Sequence, residues 1–399
     1  MTTTTPAMDF GPALNSVLDT VDRWQEEGNY PLFPVIAEPL GTRARLADGR
    51  LVSVFGSCDY LGLSRHPAVT EAAVAAVQRF GTHCYGTQPV GGFTELHREL
   101  ESSLATFFGT PAAALFPTGM QANIGVLATL AGPGDAVLSD QLNHGSITMG
   151  GRLSGARLVT FRHNDLADLE AKLIAAVGDR RRIIVVDGLF SADGDFAPLA
   201  GIADLADRHD ALLIVDEAHS GGVVGPHGRG AAELLGVLDR VDVITGTMSK
   251  AFASTGGFAC GSERVMRMLR HSAGAYLLSL GLVPATVGAA VAAVRVATEE
   301  GQRLRTRTAD NASALRARLR EAGVNIGASE AHVVLVHIGR VDDTARIATR
   351  LLEQGFLVNP LFPPAVPIGG ARLRIGVTSA HGRDEIDAVA KAITHAQTC

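Results

Sequence analysis

Two short polar segments of this chain could carry out chemistry together. Lys250 lies in Thr247–Phe252 and Asp216 lies in Val215–Ser220, and each segment follows an apolar run. A lysine in a Gly/Ser/Thr-rich turn after a strand can form a Schiff base, and an aspartate at the end of a parallel strand can hold a protonated pyridine nitrogen. The pair therefore indicates pyridoxal 5'-phosphate (PLP) as a cofactor.

Both segments also have simpler explanations. An isolated lysine in a surface turn is usually a solvated charge, and a strand-terminal acid often only caps a helix. The letters Asp-Glu-Ala-His at 216–219 also occur in the Walker B box of one helicase group, but the sequence lacks the G-x-x-x-x-G-K-[ST] phosphate loop that such a protein needs. The net charge of -6 does not suit nucleic-acid binding either. We therefore expect no nucleic-acid partner.

Length and composition predict a large globular chain. With 399 residues, of which 46% are hydrophobic, the chain can bury a sizeable core and form two or three domains. The longest apolar stretches, such as 282–296, are Ala/Gly-rich and too short to span a membrane. The N-terminal segment Met1–Pro6 lacks the basic and apolar parts of a signal peptide, which predicts a cytoplasmic location.

The cysteines predict neither disulfide bonds nor a metal centre. No Cys-x-x-Cys pair occurs in the sequence, which disfavours both a disulfide framework and a zinc site. We therefore expect no bound metal, and reduced thiols at all four positions, which are Cys58, Cys84, Cys260 and Cys399.

The pattern of apolar residues predicts a mostly parallel sheet in the middle of the chain. An amphipathic helix at 14–27 and a hairpin with its turn at 47–49 come first. Short apolar runs then alternate with helical patterns from about 110 to 260, which is typical of βαβ units. These runs are Ala112–Phe116, Ala136–Leu138, Arg157–Phe161, Ile183–Val186, Leu212–Val215 and Val241–Thr245.

The remainder predicts a smaller α+β unit. After Pro284 an Ala/Val-rich helix continues, in charged form, towards Ala322. Beyond it we expect a helix at 342–353, a last helix, and strands at His332–His337, Phe356–Val358 and Arg372–Val377. We predict an N-terminal arm at 1–50, a large PLP-binding domain at 51–285 and a small C-terminal domain at 286–399.

Polar residues follow five of the predicted strands. In an open parallel sheet, ligands bind outside the carboxyl ends of the strands, so side chains at these positions converge. In strand order they are Thr118 and Gly119, Asn143 and His144, Asp187 and Ser191, Asp216 and His219, and Thr247 and Lys250.

Further segments between about 40 and 385 extend this pattern in a fixed order. They are Phe55–Leu63, His97–Glu101, Thr118–Asn123, Asn143–Ser146, Phe190–Asp195, Val215–Ser220, Gly228–Gly230, Gly246–Lys250 and Arg372–Arg374. In these segments the chain resembles the α-oxoamine synthase family of PLP-dependent enzymes, which have the fold type I of aspartate aminotransferase. The resemblance implies an α/β fold, with a large domain whose mostly parallel sheet is sandwiched by helices and a small C-terminal α+β domain.

The resemblance also implies roles around the cofactor ring. Lys250 would hold the cofactor and then remove the α-proton of the amino acid, for which it needs a neutral amine. Asp216 would pair with the pyridinium nitrogen, so that the ring can act as an electron sink. His144 would stack on the ring, and His219 and Ser191 would contact its phenolic oxygen.

Phosphate and carboxylate groups require other partners. Backbone amides of Gly119 and Met120 at a helix start would bind the phosphate, with the Thr247 and Ser249 hydroxyls beside them. By resemblance, Ser279 reaches the phosphate of the neighbouring subunit in a homodimer with shared active sites. Arg374 matches the arginine that binds the substrate carboxylate, because its guanidinium fork fits that group.

The chain departs from the family pattern at two places. Cys58 occupies a position where the family usually has an asparagine that contacts the substrate carboxylate, and a thiol is a poor donor. In 81–92, His83 and Tyr85 stand where small residues are common, and Gln88 stands where several members have arginine. Without that arginine we expect a neutral acyl group in the substrate.

Together these features predict condensation of an amino acid with an acyl thioester, with loss of CO2 and free thiol, to give an α-amino ketone. The segments do not decide between coenzyme A and a carrier protein as the thiol, or which amino acid and acyl group react. An aminotransferase or carbon-carbon lyase on the same fold, and a non-catalytic partner subunit, are the alternatives. The presence of Lys250 argues against the last of these.

Overall fold

The computed structural model describes residues 11–398. The segment Met1–Pro6, on which the predicted location depends, and Cys399 lie outside the described residues. The other three cysteines are free thiols. None of the helices between residues 11 and 398 combines the length and the apolar character needed to cross a bilayer.

Helices occur throughout the described part of the chain. In order they are α1 Pro12–Glu26, α2 Pro67–Phe80, α3 Glu95–Phe108, α4 Gly119–Leu130, α5 Gly145–Leu153, α6 Leu166–Ala175, α7 Leu199–Arg208, α8 Ala231–Leu234, α9 Glu263–Ser272, α10 Gly274–Leu277, α11 Pro284–Glu299, α12 Gly301–Glu321, α13 Val341–Glu353 and α14 Arg383–Thr398. Irregular helical turns also occur at Gln88–Gly92 and Leu238–Arg240.

The largest sheet has seven strands and carries the candidate site. The strands are β4 Ala112–Phe116, β5 Ala136–Asp140, β6 Arg157–Phe161, β7 Arg182–Asp187, β8 Ala211–Asp216, β9 Val243–Thr247 and β10 Gly257–Gly261. Their order is β4-β10-β9-β8-β7-β5-β6, and all neighbours from β9 to β6 are parallel. The predicted α/β fold with a mostly parallel sheet is therefore confirmed.

Strand β10 was not expected from the sequence. It runs antiparallel between β4 and β9, and its five residues include two glycines, which weaken a strand signal. Strand β9 also begins two residues later than its apolar run, at Val243 instead of Val241. It also ends two residues later, at Thr247 instead of Thr245.

Helices cover both faces of this sheet because its strands are apolar on both faces. On β7, Ile184 and Val186 pack with residues of α6 and α7, whereas Ile183 and Val185 pack with residues of α4. Such continuous burial is what a parallel sheet between two helical layers requires. The carboxyl ends of the strands remain free to form a site.

Two smaller sheets complete the fold. Three strands, β11 Val333–Gly339, β13 Asn359–Leu361 and β14 Ala371–Gly376, form an antiparallel sheet in the order β11-β14-β13. The other sheet has the order β1-β2-β3-β12 and consists of β1 Ile36–Leu40, β2 Arg43–Leu46, β3 Leu51–Val54 and β12 Phe356–Leu357.

The predicted N-terminal helix and hairpin agree with α1 and with the β2–β3 pair. The boundaries at 50/51 and 285/286 stay a prediction. One pairing crosses them: β3, at the start of the predicted large domain, pairs in parallel with β12 of the predicted small domain. This segment of the chain therefore belongs to a sheet built from both ends of the sequence.

Candidate active site

Residues at four strand ends and at the start of α4 surround one cavity of about 210 Å³. Asp187 and Asp216 end β7 and β8, and these two residues are paired in register. Lys250 follows β9. The cavity is lined by Thr118, Gly119, Met120, Asn123, His144, Ser146, Asp187, Leu189, Asp216, Ala218, His219, Thr247, Ser249 and Lys250.

Lys250 is half-buried in this cavity. Burial lowers the pKa of its amine, and the charge of Arg374 acts in the same direction, whereas Asp216 opposes the shift. The lowered pKa increases the fraction of neutral amine, which is the form that acts as a nucleophile and as a base.

Asp216 is held by several donors. It is 5% exposed, its Oδ2 accepts a 2.6 Å hydrogen bond from the side-chain amide of Asn123, and its Oδ1 accepts from the backbone N–H of Ala218 at 2.8 Å. The Asn123 oxygen accepts from Thr245 Oγ1 at 2.6 Å, which fixes the amide orientation. The carboxylate is therefore oriented both from the turn after β8 and from α4.

Sequence reasoning did not identify Asn123, Thr245 or Ser146 as part of the site. Asn123 also donates to Ser146 Oγ at 2.9 Å, and Ser146 Oγ lies 2.7 Å from Nδ1 of His144. The segment that contains Asn123 carried the family resemblance, so its place in the pattern was a usable signal. A single buried threonine on β9 offers none.

His219 is buried and hydrogen bonded to Tyr60. Its Nδ1 lies 2.9 Å from Tyr60 Oη, and the ring of His332 packs edge-on against Tyr60 with the centroids 4.2 Å apart. Burial lowers the pKa of His219 well below its ordinary value, and the charges of Lys250 and Arg374 lower it further. His219 is therefore a neutral imidazole at physiological pH.

His144 caps helix α5 beside the same cavity. Its backbone N–H donates to Asp187 Oδ2 at 2.9 Å, and its Nδ1 accepts from the backbone N–H of Ser146 at 3.3 Å. Burial lowers the pKa of His144, and Asp216 opposes this shift. Its ring stays solvent-accessible.

Asp187 is a second buried carboxyl group beside Asp216. Burial raises its pKa well above the ordinary value, and the neighbouring charge of Asp216 raises it further. Two adjacent buried carboxylates repel each other, so one of them stays protonated. Burial and the charge of Asp216 thus both favour the protonated form of Asp187.

The first turn of α4 offers donors for an anion. Thr118 caps the helix by accepting from the Gln121 N–H at 3.1 Å. A Cβ on Gly119 would lie 2.8 Å from Cβ of Thr247, so only glycine allows α4 to begin this close to β9. The hydroxyls of Thr247 and Ser249 are 2.7 Å apart and line the same end of the cavity.

These donors fit PLP. Free amides at a helix start suit a phosphate, a fixed carboxylate suits a pyridinium nitrogen, and a half-buried amine suits an aldehyde. The structure thus brings together eight of the residues expected around the cofactor: Gly119, Met120, His144, Asp216, His219, Thr247, Ser249 and Lys250.

Other expected residues lie outside the cavity lining. Arg374 lies on β14, and its Nη2 is 3.9 Å from the Sγ of Cys58. The positive charge of Arg374 lowers the pKa of Lys250. Ser279 accepts a hydrogen bond from Gln121 Nε2 at 3.1 Å, close to the first turn of α4. Ser191 lies on the turn after β7, where it is half-buried.

Gln88 is placed in the interior of the protein. It is 5% exposed, and its Nε2 donates to the backbone oxygen of Leu115 on β4 at 3.0 Å. Within this chain it does not line the cavity around Lys250. The position of Gln88 in this chain therefore does not itself support a contact with substrate. Tyr85, three residues earlier in the sequence, is 91% exposed.

The fold and the cavity define a PLP-dependent transferase of fold type I. A sequence profile described as aminotransferase class I and II matches residues 52–393. The chain belongs to the α-oxoamine synthase family within this class.

Named relatives cover nearly the whole chain. An 8-amino-7-oxononanoate synthase of Trichlorobacter lovleyi is 44% identical over 348 residues, which are 87% of this chain and 89% of the relative. A serine palmitoyltransferase of Sphingobacterium spiritivorum is 36% identical over 372 residues, 93% of each chain. A solved serine palmitoyltransferase from S. paucimobilis, with a bound PLP-myriocin adduct, superposes with a TM-score of 0.94 at 30% identity and covers 98% of this chain and 99% of its own.

Proposed function

We propose that this chain catalyses the PLP-dependent condensation of an amino acid with an acyl thioester, releasing CO2 and a free thiol and giving an α-amino ketone. The main support for this proposal is that Lys250 and Asp216 line the same cavity as Gly119 and Met120 at the start of α4. The similarity to enzymes named as 8-amino-7-oxononanoate synthases and serine palmitoyltransferase supports this reaction class.

PLP, when bound, supplies an electron sink for negative charge at the α-carbon of the amino acid. Lys250 would be its covalent anchor and, as a neutral amine, would take the α-proton. Asp216 would stay ionised against the ring nitrogen, because Asn123 and Ala218 donate to its two oxygens. The protein's contribution is to fix these groups before the substrate arrives.

The remaining roles concern binding. We assign the phosphate to Gly119, Met120, Thr247 and Ser249, and the face of the ring to His144. His219, fixed by Tyr60, and Ser191 on its turn would contact the phenolic oxygen.

Arg374 would bind the substrate carboxylate, with Cys58 beside it in place of an amide donor. Their separation of 3.9 Å supports a shared pocket for that group. A role of Gln88 in substrate binding stays a prediction; in this chain its Nε2 donates to the backbone oxygen of Leu115.

We also propose that two copies of the chain form a homodimer with shared active sites. Large apolar side chains are exposed around Ser279: Leu278 is 86% exposed, and Tyr85 and Val90, on the loop that meets this segment through the Thr87–Leu280 bridge, are 91% and 85% exposed. Exposed apolar groups of this size, clustered together, mark an interaction surface. A cytoplasmic location is likewise a proposal.

The test is to incubate purified protein with a panel of amino acids and acyl thioesters and to measure thiol and CO2 release. Acyl-coenzyme A and acyl-carrier thioesters should be separate arms. Release that needs both substrates, and that Lys250→Ala abolishes, is the expected result. Transfer of the amino group to a keto acid, with no thiol release from any thioester, would contradict the proposal and favour an aminotransferase.

A further inference from the structure

His163 bridges two carboxylates next to the candidate active site. Its Nδ1 lies 3.0 Å from Oδ1 of Asp140, and its Nε2 lies 3.0 Å from Oδ2 of Asp195. The ring packs edge-on against Phe190, with the centroids 4.5 Å apart and the planes at 89°. None of these residues lines the cavity around Lys250.

Between two ionised carboxylates, which can only accept, both ring nitrogens must donate. The two carboxylates act as acceptors elsewhere: Asp140 accepts from the backbone N–H groups of Leu142 and Asn164, and Asp195 accepts from the Asn164 side-chain amide. A neutral imidazole has one N–H, and only the imidazolium has two. The hydrogen bonds thus identify His163 as a cation.

The electrostatics agree with this protonation state. Burial alone would lower the pKa of His163, but the hydrogen bonds and charges of Asp140 and Asp195 outweigh it and raise the pKa to about 10. The side chain of Asp140 is 1% exposed. Removal of the imidazolium would therefore leave a buried negative charge without its cationic partner.

The bridge connects two turns that lead into the cavity. Asp140 ends β5 directly before the turn that leads to His144. Asp195 closes the turn that carries Ser191, because its backbone oxygen accepts from the Phe190 N–H at 3.0 Å. One cation therefore restrains both the turn that leads to His144 and the turn that carries Ser191.

The second of these turns is also held from β14. Arg372 donates at 2.7 Å to both the Asp193 carboxylate and the backbone oxygen of Ala192. Asp193 thus pairs with Arg372 on β14, and Asp195 pairs with His163 in the turn after β6. The turn is therefore held by two ion pairs, one with His163 and one with Arg372.

We propose that His163 is a positioning residue whose positive charge, shared between Asp140 and Asp195, fixes the turns that lead to His144 and Ser191 and thereby strengthens PLP binding. This inference rests on the proposed PLP site and not on which substrates react. A residue that only stabilised the fold would alter unfolding and leave the affinity of the folded protein for PLP unchanged.

The experiment compares His163→Gln, Asp195→Asn and the double variant. PLP affinity is measured by titrating each cofactor-stripped protein and following its absorbance, and thermal unfolding is recorded in parallel. We expect His163→Gln to weaken PLP binding about tenfold or more, as loss of a charged hydrogen bond predicts. The double variant should bind PLP about as His163→Gln does, because the two changes remove the same ion pair and their effects should not add.

A matched control removes a histidine–carboxylate pair elsewhere. His227 Nδ1 lies 2.7 Å from Glu233 Oε1 at an exposed position. His227→Gln should bind PLP as the wild type does. If His163→Gln does not fold, Asp195→Asn alone still decides, because it should weaken PLP binding about threefold or more by removing one charged partner of His163.

A direct observation of protonation completes the test. With ¹⁵N-labelled histidine, one imidazole should show two protonated nitrogens at pH 8, and this signal should be missing from His163→Gln. An unchanged PLP affinity in His163→Gln, losses in His163→Gln and Asp195→Asn that simply add in the double variant, or a neutral His163 at pH 8 would each overturn the inference. A wild-type protein that binds no PLP would instead refute the proposed function.

Discussion

The side-chain amide of Asn123 donates a 2.6 Å hydrogen bond to Oδ2 of Asp216, although 93 residues separate them in sequence. Helix α4 thus presents its first-turn amides at one end of the cavity and orients the carboxylate at the other. Both ends of the proposed cofactor would be positioned by one rigid helix.

The first prediction follows from this bond. Asn123→Ala should lower kcat about tenfold or more and weaken PLP binding, because Asp216 loses a donor in a buried setting. Asn29→Ala is the matched control. In the described part of the chain, the Asn29 side chain has one hydrogen bond, which it donates to the exposed side chain of Glu27. Steady-state rates and PLP titration of both variants provide the measurement, and equal behaviour would remove Asn123 from the site.

The second prediction concerns the covalent anchor. Borohydride treatment of the yellow, cofactor-loaded protein should attach a pyridoxyl group to Lys250 alone, as peptide mass spectrometry would show. Lys250→Ala should lose about 10²–10⁴-fold in rate even with added PLP, since a positioned base contributes that much. Asp216→Ala should lose more than about tenfold, which is 1.4 kcal/mol of barrier. A label on a different lysine would refute the assignment.

The third prediction separates the two arginines of β14. Arg374→Ala should raise the amino-acid KM about tenfold or more while changing the thioester KM little, because a charge-assisted bond to the carboxylate is lost. Arg372 is 5% exposed and pairs with Asp193, so Arg372→Ala should lower the free energy of unfolding by about 2–3 kcal/mol. Kinetics with each substrate varied, together with urea unfolding, distinguish these effects.

The fourth prediction is a pH dependence of stability. The pKa of His163 is about 10 in the folded protein, against an ordinary value of 6.5. Folding therefore favours the protonated form, and this contribution to stability is complete below pH 6.5 and disappears as the pH rises through 10. The facing groups that produce it are Asp140 and Asp195. The difference in free energy of unfolding between wild type and His163→Gln should shrink steadily from pH 7 to 10, and a constant difference would contradict it.

The fifth prediction addresses the acyl group. His83 and Tyr85 stand where the family commonly has small residues, and both are exposed on a loop beside the proposed dimer surface. Their side chains should narrow the space for the acyl group, and Gln88, where several members have arginine, supplies no positive charge for an anionic acyl tail. We expect faster thiol release from neutral acyl-coenzyme A substrates than from dicarboxylic ones of matched length. A clear preference for succinyl or pimeloyl thioesters would show this to be wrong.

Much of the fold was accessible from the sequence because local patterns carry it. The apolar runs of β4 and β6 match the strands residue for residue, and Lys250 and Asp216 were recognisable from position and type. The antiparallel strand β10 was not predictable from the sequence. Its glycines weaken the local strand pattern, and its place between β4 and β9 depends on long-range pairing.

The supporting contacts of the site were likewise not predictable. The bond between Tyr60 and His219 spans 159 residues, and no local pattern encodes such a separation. The interior position of Gln88 depends on the carbonyl of Leu115, which is a tertiary contact. Residue types indicated the chemistry, whereas the partners that orient those residues became visible only in the folded chain.

The parallel pairing of β3 with β12 has a consequence for biosynthesis. Strand β3 leaves the ribosome when most of the chain is still untranslated, and its partner at Phe356–Leu357 emerges near the end. Until then one edge of the four-stranded sheet has unpaired backbone groups, which are sites for aggregation. A nascent chain that stalls before residue 356 therefore carries an open strand edge, and chaperone binding during translation would be concentrated on that intermediate.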